Sequence, residues 1–167
     1  NKISRFPVIV SSTEQKAYAG INRNRAAKMA KSEYISFIDA DDVMHPERLK
    51  IIAETIGSQG RPMGVVHGFT YNKIAGDLGT FDTWNSKKFW DYHNKYARSE
   101  SLNYPKISLH HGHPTYKSSV FEEVKFTNRK RGQDAEMLRN VVDHYRGGVV
   151  YIEAPLTGYY KRARIYD

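Results

Sequence analysis

Residues 34–42 read Tyr34-Ile35-Ser36-Phe37-Ile38-Asp39-Ala40-Asp41-Asp42, an apolar run that ends abruptly in three carboxylates. The β-branched and aromatic side chains of its first half predict a buried strand, and the acids mark where that strand leaves the core. In an open α/β sheet the carboxyl ends of the strands border the ligand crevice. Carboxylates gathered there repel one another unless a cation or a proton joins them. Oxygen ligands suit a hard divalent ion such as Mg²⁺ or Mn²⁺, and Mg²⁺ in particular keeps much of its shell for water and substrate phosphate. Taken alone, Asp-Ala-Asp-Asp more often marks a polar turn or a helix cap, so the neighbouring sequence has to decide.

Upstream, Ile21, Ala26, Met29 and Ala30 recur near helical spacing, while Arg23, Asn24, Arg25 and Lys28 fill the other faces. This pattern predicts a helix packed on the sheet and feeding the acidic strand. Downstream, a helix is expected from Val43 onward, with Pro46 in its first turn, Gly57 as its stop, and Leu49, Ile52, Ala53 and Ile56 as its buried stripe. His45 stands close enough to the acids to be a ligand candidate, although a residue just before proline is more simply a loop or capping group. Further strands are predicted over 6–12, 64–71 and 149–153. A helix beginning near Asp134 has Met137, Leu138, Val141, Val142 and Tyr145 on its apolar face, with Gly147 and Gly148 at its end.

With 167 residues the chain suits a single core. It has no Cys, which excludes disulfides, thiolate metal sites and cysteine nucleophiles. The 26 basic against 18 acidic residues give a net charge of +8, which favours an anionic partner: a nucleoside diphosphate, an acidic glycan, a lipid headgroup or nucleic acid. No nucleic-acid-binding motif accompanies the charge, so that partner is not expected. No run approaches the roughly 20 apolar residues of a membrane span, and a cytoplasmic or membrane-peripheral location is expected.

Taken together, Arg23-Asn24, then Ala30-Lys31-Ser32-Glu33-Tyr34-Ile35, then Phe37-Ile38-Asp39-Ala40-Asp41-Asp42, resemble glycosyltransferase family 2. Ala26 and Ser32 stand where that family often has Gly. Farther along, Arg131-Gly132-Gln133-Asp134-Ala135-Glu136 resembles the family's second acidic signature, with Gln133 in place of the usual Glu. The resemblance runs over roughly residues 6–160 and implies a GT-A fold, a Rossmann-like mixed sheet flanked by helices. The strand–helix–strand unit that opens the family's domain has no counterpart, so residues 1–167 are read as one partial, N-terminally truncated domain. An exposed sheet edge and self-association through it are then expected.

The resemblance also implies an activity and a site. A sugar would move from a nucleotide-diphosphate donor, by default UDP-linked, to a saccharide or other hydroxyl acceptor with inversion, as in polysaccharide biosynthesis. A divalent metal, Mn²⁺ or Mg²⁺, would be held by Asp41, Asp39 and Asp42. Arg23, Asn24, Asp39 and Asp41 would contact the nucleotide side, and Asp134 would be the base. Residues 81–96, where Trp84 and Trp90 interleave with polar side chains, read as an acceptor surface or as ordinary packing. His113, Gln133 and Glu136 join them as acceptor candidates. The run His110-His111-Gly112-His113 has no zinc-ligand spacing, and Lys161, Arg162 and Arg164 stand where many relatives have a diphosphate-side His. The alternatives are a non-catalytic module of the same fold that binds an anionic glycan or partner, and a phosphohydrolase built on the acids.

Overall fold

In the computed structural model the described residues are 7–71, 83–84, 113–146 and 148–159. They form one mixed sheet of β1 (Tyr34–Ser36), β2 (Val43–Met44), β3 (Gly64–Tyr71), β4 (Thr83–Trp84), β5 (Thr115–Lys117) and β6 (Val149–Tyr159). The helices are α1 (Ala19–Met29), α2 (Arg48–Ser58), the single turn α3 (Val120–Glu123) and α4 (Gln133–His144). The strand order is β1-β5-β3-β6-β2, with β4 also paired to β6. The β3–β6 pair is parallel and all others are antiparallel, so β1, β3 and β6 point the same way.

The sheet buries a core on each face. Ala27 of α1, Phe37, Tyr116 and the α4 stripe Met137, Leu138, Val141 and Val142 form the larger cluster with Val66, Val149 and Tyr151. On the opposite face, Ile51 and Ile52 of α2 pack with Val65, Ile152, Ala154 and Leu156. Successive strand residues such as Val65 and Val66, or Tyr151 and Ile152, thus serve opposite faces, as the pleat requires. Because α1, α2 and α4 precede the co-directional strands β1, β3 and β6, all three helices begin at the end of the sheet where those strands finish.

The strand over 64–71 and the helix near Asp134 lie where expected. Other elements differ from the sequence reading. Residues 7–13 form no strand, and Val8, Ile9 and Val10 are exposed; among the described residues no neighbouring strand receives them, and extended backbone becomes a strand only when paired. Val43 and Met44 pair with Gly158 and Thr157 as a short strand, so α2 starts only at Arg48. Gly57 lies inside α2, which stops at Ser58 before a turn with positive φ at Gly60 and Arg61. The last strand runs on to Tyr159, passing Pro155 at a register irregularity opposite Gly68, where a missing N–H is tolerated.

Both leading helices bury a face other than the predicted one. On α1 the buried residues are Gly20, Arg23 and Ala27, while Ala26 is exposed. On α2 they are Arg48, Ile51, Ile52 and Thr55, and Leu49 is 54 % exposed. The stripe still has helical period, but an arginine holds one position of each, because hydrogen-bond acceptors lie beneath it.

Two glycines test this packing with opposite signs. A Cβ on Gly20 would stand 2.4 Å from the Thr127 carbonyl oxygen, whereas one on Gly57 would meet nothing within 4 Å. Gly20→Ala is therefore expected to destabilise by roughly 1–3 kcal/mol through overpacking. Gly57→Ala is expected to stabilise by roughly 0.5–1 kcal/mol through helix propensity. Chemical denaturation of both variants checks the pair.

Candidate metal and donor site

The acids sit where β1 leaves the sheet. Beyond Ser36, which pairs with Thr115, the ladder continues for one bond as the Phe37 N–H donates to the Pro114 carbonyl at 3.2 Å. The Phe37 ring is wedged edge-on against Phe126 and Phe121, at 5.5 and 5.9 Å between centroids. The backbone is thereby fixed just ahead of the turn, and the side chains of 39–42 project from an anchored point.

Asp39, Asp42 and His113 come together there, each offering one ligand atom within 4.8 Å of the others. His113 Nε2 lies 3.0 Å from Asp42 Oδ2 and 3.8 Å from Asp39 Oδ2, with the His113 side chain fully buried and that of Asp42 nearly so. The same Nε2 accepts the Asp39 backbone N–H at 3.0 Å. His113 Nε2 thus faces the Asp39 N–H and a carboxylate oxygen of each acid at once. Two carboxylates and an imidazole are also a donor set that Mn²⁺ and neighbouring first-row ions accept. By that chemistry the residues fit a divalent metal.

Arg23 reaches the group from α1. Its Nη2 donates to Asp39 Oδ1 at 2.6 Å, and the guanidinium lies 5.5 Å from the centroid of the Phe126 ring. The His113 ring, followed by Arg23, outweighs partial burial and holds the Asp39 carboxyl at about 2, below its ordinary 3.8. From α2, the buried Arg48 Nη2 donates to the Phe37 carbonyl at 2.8 Å, the His113 carbonyl at 3.0 Å and Ser36 Oγ at 3.1 Å. Burial lowers its guanidinium to about 10, so it stays charged at neutral pH.

The remaining candidates are distributed around this centre. Asp41 is exposed and stands outside the three-residue group. Asn24 uses both ends of its amide on the backbone of Phe126, at 2.8 and 3.0 Å, and so clamps α1 to the loop before α4. Asp134 is half-buried in the first turn of α4 and accepts the Ala135 N–H at 2.9 Å. The phenol of Tyr116, fully buried, is pushed up by burial and then by the Asp134 charge, with Arg23 opposing. Gln133 is buried, and its Cγ would lie 3.1 Å from a Cβ on Gly20. Glu136 accepts from Thr127 Oγ1 at 2.6 Å and from Arg129 at 3.3 Å, which ties it to the loop.

His45 Nδ1 accepts the Glu47 N–H at 3.1 Å, the loop role its place before Pro46 suggested. Trp84 contributes its backbone to β4 opposite Tyr151. Trp90, His110, His111, Lys161, Arg162 and Arg164 lie outside the described residues. Sequence reasoning named His113 as an acceptor contact and not as a partner of the acids, and it passed over Arg48. The available signal was a charged residue at the first position of an i, i+3, i+4, i+7 stripe with Ile51, Ile52 and Thr55.

A mixed sheet flanked by helices, with an acidic turn at the carboxyl end of a strand, is the architecture of GT-A proteins, and solved structures of that type resemble it. S. aureus TarS residues 1–349 in complex with UDP-GlcNAc matches with TM-score 0.63 at 18% identity over 93% of this chain and 42% of that one. The same protein in complex with UDP matches at 0.56, with 16% identity over 86% and 40%. A mycobacterial protein matches at 0.60, with 10% identity over 91% and 47%. The chain thus spans less than half of the length of each. No curated protein matches it. The model of glycosyl transferase family 2 matches residues 2–125, and the chain belongs to that family.

The depressed Asp39 carboxyl gives a pH prediction for the metal-free protein. A group lowered on folding contributes stability that is complete above its unfolded value near 3.8 and is lost as pH falls through about 2. Arg23→Gln removes one of the causes, so the Asp39 midpoint is expected to rise toward 3.8, narrowing that window from below. Carboxyl-carbon NMR titration of the two proteins reads the midpoints directly.

Proposed function

We propose that this domain binds a nucleotide-diphosphate sugar, with UDP as the nucleotide, and transfers the sugar to a hydroxyl acceptor with inversion. The observation that carries the reading is the meeting of Asp39, Asp42 and His113 at the end of the sheet where α1, α2 and α4 begin. Helix N-termini favour negative charge, and the net charge of +8 agrees. The similarity to TarS in complex with UDP and with UDP-GlcNAc supports the choice of nucleotide.

Asp39, Asp42 and His113 would hold the divalent ion. When bound, that ion supplies positive charge against the departing diphosphate. Arg23 keeps Asp39 ionised and oriented through the 2.6 Å bond. Asp134 acts as the base: it takes the proton of the acceptor hydroxyl as that oxygen forms a bond to the anomeric carbon. The bond from the anomeric carbon to the diphosphate oxygen breaks on the opposite face, and its electron pair leaves with the nucleotide. Gln133 serves packing and Glu136 ties the loop.

Melting temperature with UDP and Mn²⁺ tests the donor half. A ligand at 100 times its Kd adds about 2.7 kcal/mol, which in a domain of this size is a rise of roughly 5–10 °C. The rise is expected to need Mn²⁺ and to vanish in Asp42→Asn and His113→Ala. Asp134→Asn is expected to keep the rise while losing roughly 10²- to 10⁴-fold in transfer from a UDP-sugar. A nucleotide shift that is indifferent to metal and survives both ligand variants would overturn the assignment.

A further inference from the structure

Arg48 is a buried charged group with no part in the transfer chemistry. It is 1% exposed, and its hydrogen bonds go to Ser36 Oγ and to the Phe37 and His113 carbonyls, none of them a proposed ligand atom. Its three acceptors belong to the two segments that carry the ligands. Phe37 stands two residues before Asp39, and the His113 carbonyl belongs to the ligand residue itself, 65 positions along the chain from Arg48. Ser36 Oγ, the third acceptor, also receives the Thr115 hydroxyl at 2.9 Å.

We propose that Arg48 is a positioning residue that sets the separation between the acidic turn and His113, and thereby the affinity of the Asp39, Asp42 and His113 group for its divalent cation. The inference rests on the metal-assisted reading above. One planar guanidinium nitrogen spans both carbonyls, so neither segment moves without stretching a bond to it. Without that nitrogen, the two buried carbonyl oxygens lose a shared donor and must separate or find other partners.

A purely structural role fits this position poorly. The neighbouring stripe positions hold Ile51 and Ile52, which pack with Val65, Ile152 and Leu156. An apolar residue at 48 would extend that cluster without desolvating a charge. Groups behind a metal ligand, by contrast, fix its orientation, and losing one typically weakens metal affinity.

The test is Mn²⁺ binding, read from the loss of the free-ion electron paramagnetic resonance signal, alongside thermal unfolding. The proteins compared are wild type, Arg48→Met, Arg48→Lys and Ile52→Ala. Arg48→Met is expected to bind Mn²⁺ roughly 10- to 100-fold more weakly. Arg48→Lys, whose ammonium can serve only part of the acceptor set, is expected to be intermediate. Ile52→Ala, on the same helix, is expected to melt earlier and to keep its Mn²⁺ affinity. Wild-type affinity in Arg48→Met overturns the proposal, as does an equal loss in Ile52→Ala. Should Arg48→Met fail to fold, unchanged affinity in Arg48→Lys overturns it instead. A wild-type protein that takes up no Mn²⁺ removes the cation reading itself and this proposal with it, an outcome distinct from the others.

Discussion

The parallel ladder between β3 and β6 is the constraint from which the remaining architecture follows. Its pairs run from Gly64 opposite Val149 to Tyr71 opposite Tyr159, and its side chains feed both apolar clusters. A parallel pair cannot be closed by a tight turn, and both of its faces need cover. The chain meets both demands by bringing a helix down one face before each strand. Those helices then start at the end where the strands finish. The location of the acidic turn, the buried arginines and Asp134 at one end of the sheet is therefore a consequence of the strand direction.

Two arginines approach that turn from opposite faces. Arg23 belongs to α1, which contributes to the larger cluster, and Arg48 to α2, which contributes to the smaller. They act on different chemistry: Arg23 meets a carboxylate oxygen of Asp39, while Arg48 meets two carbonyl oxygens and a hydroxyl. Burying either guanidinium costs desolvation that an apolar side chain would not incur. The hydrogen bonds offset it only because the turn supplies acceptors at both faces. The acids are held by charge from one side and by backbone geometry from the other.

This arrangement also explains what the sequence could tell. The strand over 64–71 and the helix beginning near Asp134 were legible because each is long or strongly patterned, whereas the buried strand expected before Asp39 is only the three residues Tyr34–Ser36, half-buried to exposed at the end of the strand order, with Ile38 exposed. The buried faces of α1 and α2 were not legible, since a periodicity rule assigns arginine to solvent and leucine to the core, whereas here Leu49 is exposed and Arg48 buried. The strand expected over 6–12 and the helix expected from Val43 failed for another reason. Pairing partners decide such short segments, and Val43 and Met44 have them in β6 while residues 7–13 have none among the described residues. The acids of the site are contiguous and so readable. His113 joins them across 74 positions from Asp39, a contact that only the fold creates.

The two acidic signatures are likewise joined by the core and not by a loop. Phe37 precedes the first and packs on Phe126, which the Asn24 amide fixes to α1. Phe37 and the α4 residues Met137 and Leu138 belong to one cluster with Tyr116. The Tyr116 phenol feels both the Asp134 and the Arg23 charge, so the candidate base and the cation that holds Asp39 lie within electrostatic reach of a single buried ring. Protein interiors are packed too densely to deform continuously. Side-chain volume at Phe37, Tyr116 and Phe126 therefore sets how far the acidic turn stands from Asp134. A transfer reaction that must align a hydroxyl, an anomeric carbon and a leaving diphosphate depends on a separation held that firmly.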